Sequence, residues 1–158
     1  TECRQVMNIE SILVPERTKA QLQAGSKKRA LENIAEIIHG NLPEVSSEDL
    51  FAALIARERL GTTALDYGVA IPHIRFAECR QITGSLFQFQ EGVDFDAYDN
   101  QLVNIVFVLL VPLDKVDEHL DVLAMLARRF AMDDFREALR AADTDEELYQ
   151  IAIQEFEL

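Results

Sequence analysis

The chain's three histidines, His39, His73 and His119, are its candidates for proton or group transfer near neutral pH. His73 stands in the most informative surroundings. Gly68-Val69-Ala70-Ile71-Pro72-His73 reads as an extended approach. Proline fixes its own φ and biases Ile71 away from helix, so His73 should leave a strand end on a stiff backbone. An imidazole held that way has little orientational freedom left to lose when it attacks as a nucleophile. Its neighbourhood is locally basic: Arg57, Arg59, Arg75 and Arg80 face only Glu58, Asp66 and Glu78 between residues 57 and 80, in a chain of net charge −13. A phosphoryl group on an imidazole would carry about two negative charges, and arginine's planar fork holds such oxygens bidentately. From these residues alone two readings stay open, a hydrogen-bonded structural histidine and a phosphate acceptor.

The other chemical candidates have plainer readings. His39 sits in a last helical turn beside Gly40, where a positive group suits the helix dipole. His119 follows Asp117 and Glu118 at a helix start, and that spacing matches no strong metal motif. Lys27, Lys28 and Arg29 fall in a helix's first turn and read as solvated cations. Cys3 and Cys79 form neither a disulfide framework nor a zinc site and read as reduced thiols.

The elements that must position these residues follow from periodicity. Ser26 caps a helix whose Ala30, Leu31, Ile34, Ile37 and Ile38 form one apolar stripe, with Gly40 as its stop. Ser46 and Asp49 approximate a capping box before Leu50, Phe51, Leu54 and Ile55, in a helix running to about Arg59 and ending at Gly61. From Asp117, Leu120, Leu123, Ala124 and Ala127 repeat at helical spacing. Phe135, Ala138, Leu139 and Ala142 suggest a short helix, and Thr144 with Glu147 caps a last one carrying Leu148, Ile151 and Ala152 inward. Strand signals lie in the middle, at Val69 to Ile71, Ile82 to Phe89 and the almost wholly apolar Val103 to Val111. Gly92 to Asp96 reads as a turn and a short strand. The sum is an α/β single-domain sandwich, a small mixed β-sheet flanked by helices.

Composition narrows the function. The 158 residues suffice for one core, and 49% hydrophobic content argues against disorder. The acidic surface would repel nucleic acid and anionic lipid. Trp is absent and aromatics are 8%, so a base-stacking platform has little material. No apolar run reaches membrane-spanning length and no signal peptide is visible, so the expected location is cytoplasmic.

The run Arg57-Glu58-Arg59-Leu60-Gly61-Thr62-Thr63, then Gly68 to His73, resembles the active-histidine signature of the type-2 IIA proteins of the bacterial phosphotransferase system (fructose, mannitol and nitrogen-regulatory types). Asp94-Phe95-Asp96-Ala97 and Val103 to Pro112 resemble that family's central strands. Ser26 to Glu32 and Asp145 to Ile151 look most like the nitrogen-regulatory branch. The resemblance spans residues 9 to 154 and divides the chain into a flexible tail, 1–8, and one IIA type-2 domain, 9–158. It implies that His73 is the phosphorylated histidine, that Arg57 sits near the phosphoryl group and that His119 faces His73 across the site. Thr62 and Thr63 are secondary phosphate-binding candidates. No metal or organic cofactor is implied. The implied donor is a small histidine phosphocarrier protein, and the implied targets are of the kind of sensor kinases or potassium transporters. Competing readings are a sugar-transport IIA component donating to a IIB domain, and a binding-only regulatory module. The chain departs from the family's pattern at Ala64 and Asp66, where glycines are common, at the bulky Tyr67, and at Ile74 after the histidine.

Overall fold

The computed structural model describes residues 8–154, so Cys3 and all of the expected tail except Asn8 lie outside the described residues. The strands are β1 (Thr18–Leu22), β2 (Val69–Ala70), β3 (His73–Arg75), β4 (Thr83–Val93) and β5 (Val103–Val111). The helices are α1 (Lys27–Asn41), α2 (Ser47–Arg59), α3 (Val116–Phe130), α4 (Asp133–Ala141) and α5 (Asp145–Ile153). Two short 3₁₀ turns, Ile9–Ser11 and Pro15–Arg17, precede β1.

The sheet is mixed, in the order β1-β4-β5-β2, with β3 on the same edge of β5 as β2. β4 and β5 are antiparallel, whereas β1 runs parallel to β4 and both β2 and β3 run parallel to β5. Side chains alternate across a strand, and β5 sends them to both sides. Ile105, Phe107, Leu109 and Val111 join the core beneath α3, α4 and α5, with Val122, Leu126, Phe130, Phe135 and Leu148. Val106, Val108 and Leu110 join the core beneath α1 and α2, with Leu31, Ile34, Ile38, Leu50 and Leu54. The expected sandwich is therefore a three-layer arrangement, and β5's apolar run is explained by burial on both faces.

Three caps stand where the sequence places them. Ser26, Ser46 and Thr144 accept from the backbone N–H groups of Arg29, Asp49 and Glu147. Other expectations need correction. No strand is expected from the sequence at β1, where Ala20 and Leu22 alternate with Lys19 and Gln21 over only five residues; backbone pairing with β4 holds it. Gly92 and Val93 end β4 rather than opening a turn, with Val93 opposite Val103. In α3 the buried side is Val122, Met125, Leu126 and Phe130, while Leu120 is 60% exposed. Two adjacent faces of α3 carry apolar residues at helical spacing, and packing on the sheet selects between them. α1 continues one residue past Gly40 to Asn41.

Candidate functional site

His73 opens β3 at a break in the edge strand. β2 ends at Ala70, Ile71 and Pro72 follow, and β3 resumes the pairing with His73 opposite Leu109. Pro72 has no N–H to give the ladder, but its carbonyl accepts from Leu109 N–H at 2.8 Å. The ring turns back so that Nδ1 lies 3.1 Å from the Ile71 carbonyl oxygen. A carbonyl can only accept, so Nδ1 carries the hydrogen and Nε2 keeps its lone pair.

His119 lies in the first turn of α3, its N–H donating to Lys115 C=O at 3.1 Å. Its ring centroid is 5.3 Å from that of His73, with the planes tilted by 45°. Burial, then the nearness of His73 and of Arg75, push its pKa below the ordinary 6.5, which favours the neutral ring. Its Nε2 is buried and has no hydrogen-bond partner among the described residues. An orphaned buried polar atom costs about 1–3 kcal/mol, which makes its placement beside His73 chemically meaningful. Arg75 supplies a cation that spacing alone did not single out. It is two residues beyond His73 on β3, hence on the same strand face.

The other expected site residues belong to the walls. Arg57 is half-buried at the end of α2, which packs against β3. Its guanidinium donates to Gly61 C=O at 3.1 Å. Thr62 donates its hydroxyl to Phe95 C=O at 2.5 Å and accepts from Ala64 N–H at 3.1 Å. Thr63 donates its hydroxyl to Glu58 Oε1, and its N–H reaches the same oxygen at 3.3 Å. Both threonine hydroxyl protons are thus engaged in shaping the loop, and the pair brought face to face is His73 and His119.

The loop accommodates Ala64 and Asp66 because its left-handed conformations fall on the next two residues, Tyr67 included. Ala64 bridges Ala70, and Leu65 N–H donates to Val69 C=O at 2.7 Å. The positive φ values are at Tyr67 (67°) and Gly68 (79°), not at Ala64 or Asp66. Tyr67 is held there: its N–H donates to Asp99 Oδ2 at 2.9 Å and its carbonyl accepts from Arg140. The Arg136 guanidinium lies 4.4 Å from the centre of its ring. Ile74 pairs with Leu110 in ordinary strand geometry and packs on the α1–α2 core.

Two further readings change or sharpen. Lys27 is not a solvated cation: its ammonium lies 3.2 Å from Glu58 Oε2 and 2.9 Å from Asp96 Oδ2. Burial lowers its pKa, but the hydrogen bonds to Asp96 and Glu58 outweigh that and hold it above the ordinary value. His39 ties the α1–α2 connection together through Nδ1, 2.6 Å from Val45 C=O. Among the described residues no helix is long and apolar enough to cross a membrane.

Comparison with known proteins places the sequence and the fold in a family. Residues 11–155 match the family model described as "Phosphoenolpyruvate-dependent sugar phosphotransferase system, EIIA 2". The chain is 41% identical over 148 residues to a "Nitrogen regulatory protein" of Pseudomonas aeruginosa, covering 94% of this chain and 96% of the relative. The crystal structure of nitrogen regulatory protein IIA-Ntr from Neisseria meningitidis superposes with a TM-score of 0.82 at 39% identity, covering 91% of this chain and 98% of that one. The crystal structure of IIA mannitol from Escherichia coli shares the fold, with a TM-score of 0.67 at 20% identity over 84% of this chain and 92% of that one. The chain belongs to the EIIA type-2 family of the phosphoenolpyruvate-dependent sugar phosphotransferase system, a family of phosphotransferase components related here most visibly to nitrogen regulatory proteins.

Proposed function

We propose that this chain is a phosphohistidine relay protein that accepts a phosphoryl group on His73 Nε2 and regulates targets through its phosphorylation state. The observation that carries the reading is the bond from His73 Nδ1–H to Ile71 C=O, which leaves the Nε2 lone pair available on a ring whose centroid is 5.3 Å from that of His119. The donor is a phosphohistidine on a small phosphocarrier protein. The Nε2 lone pair attacks phosphorus in line, a new N–P bond forms, and the donor's N–P bond breaks with its electron pair returning to the donor imidazole. His73 keeps its Nδ1 hydrogen throughout. Catalysis is positioning and charge stabilisation, as in other phosphoryl transfers. Arg57 and Arg75 are the cations for the transferred oxygens, and neutral His119 offers a hydrogen bond through Nε2. Kinship to proteins named as nitrogen regulators supports a regulatory role; the proposed targets are of the kind of sensor kinases or potassium transporters.

The test is phosphorus NMR of the chain after incubation with phosphoenolpyruvate, the relay's first kinase and the phosphocarrier. The expected result is one phosphoramidate resonance, lost on mild acidification and absent from His73→Ala. Phosphate that survives acid, or that persists in His73→Ala, overturns the assignment.

A further inference from the structure

Glu58 is a carboxylate in an expensive place. It lies in the last turn of α2, where the helix dipole disfavours negative charge, and its side chain is only 4% exposed. Three donors converge on it. Oε1 takes the Thr63 hydroxyl and the Thr63 N–H, and Oε2 takes Lys27, which Asp96 also holds. The consequence runs along the backbone towards the site. Thr63 C=O accepts Ile71 N–H at 3.0 Å, and Ile71 C=O accepts His73 Nδ1–H at 3.1 Å. The peptide that carries this last carbonyl is Ile71–Pro72, which has no N–H of its own to fix its plane. On its far side the sheet holds it, through Leu109 N–H and Pro72 C=O. On its near side the anchor is Ile71 N–H on Thr63, and Thr63 hangs on Glu58.

We infer that Glu58 is a positioning residue that, through Thr63 and the Ile71 carbonyl, holds His73 in the Nδ1–H tautomer and so keeps Nε2 as the free nucleophilic nitrogen. The inference rests on the phosphoryl-acceptor reading for its functional consequence, but not for its structural content. An isolated histidine side chain prefers the hydrogen on Nε2, the tautomer that cannot attack from that atom. The protein must therefore impose the other one, and a fixed carbonyl at Ile71 does so. Glu58→Leu breaks the arrangement with little change of size: it leaves the Thr63 hydroxyl and N–H without their acceptor, while Lys27 keeps Asp96.

The experiment is ¹⁵N NMR of ring-labelled chain at pH 8.5, with Glu32→Gln as the control. Glu32 pairs with Arg29 at the surface, away from this chain of bonds. Wild type and Glu32→Gln should show His73 as the Nδ1–H tautomer, and Glu58→Leu a mixture with Nε2–H. Phosphorylation from the phosphocarrier should then slow by about tenfold or more, in kcat and not in KM, as expected for a displaced nucleophile. A His73 tautomer unchanged in folded Glu58→Leu overturns the inference. If that variant does not fold, Thr63→Val decides: it removes the hydroxyl that Glu58 accepts, and an unchanged tautomer there is equally fatal. If wild type shows the Nδ1–H tautomer yet takes no phosphate, the relay reading falls while the tautomer comparison still decides the role of Glu58.

Discussion

His119→Ala separates activity from stability at one residue. In the free protein the buried Nε2 has no partner among the described residues, so its removal sacrifices no hydrogen bond there. The ring is only half-buried, and the lost packing is offset by relief of an unsatisfied polar atom, so unfolding free energy should move by less than about 1 kcal/mol. In the transition state the same nitrogen is expected to donate to a charged phosphoryl oxygen. Such a bond contributes about 1.5–3 kcal/mol, or roughly a 10- to 150-fold loss of rate. Rapid-quench phosphorylation by the phosphocarrier measures it. His119→Gln, whose amide offers a donor at a similar reach, should recover part of the loss. The same variant has a pH signature. His119's pKa is lowered from 6.5 by burial, His73 and Arg75 in that order. Between 6.5 and its lower folded value the unfolded chain binds more protons. Stability therefore rises with pH through that window and declines as pH falls through it. His119→Ala should flatten this slope in urea titrations run across the window. A transfer rate within twofold of wild type, with the slope unaltered, would refute the reasoning.

Gly68→Ala tests the loop. At φ 79° an added Cβ would sit 3.0 Å from Leu102 C=O and 2.9 Å from the Arg140 guanidinium. The left-handed conformation costs about 1–2 kcal/mol and overpacking about 1–3 kcal/mol, so the urea midpoint should fall accordingly; a loss below about 0.5 kcal/mol contradicts the steric account. Cys79 should be a poor nucleophile. Burial first, then Glu44 and Glu78, push its thiol up to about 11, so at pH 8 only about one molecule in a thousand is thiolate, against roughly one in four for an ordinary thiol. In a Cys3→Ala background, labelling by a disulfide reagent should be at least ~100-fold slower in the folded than in the urea-unfolded chain; equal rates would show that Cys79 is accessible.

What local chemistry determines was readable in the sequence. Ser26, Ser46 and Thr144 cap their helices because a hydroxyl three residues before a free N–H needs no tertiary context. Val103 to Val111 could only be a strand covered on both faces, and Ile71-Pro72 forced an extended entry to His73. The signature around His73 pointed to the family that the comparisons show. Tertiary structure decided what depends on a neighbour distant in sequence. β1 owes its place to pairing with β4, since Ala20 and Leu22 alone make too short a pattern to mark a strand. The rotation of α3 was set by packing, because apolar residues lie on two of its faces. Lys27 reads as a surface cation until Glu58 and Asp96 are brought to it. Glu58 itself looks like any helix-end acid until Thr63 folds back on it. His73 stood out as a candidate in its own segment, with the structural and acceptor readings both open, but which of its nitrogens is free depends on where the Ile71 carbonyl points. That is set by hydrogen bonds from Thr63 and from the sheet, which exist only once the chain is folded.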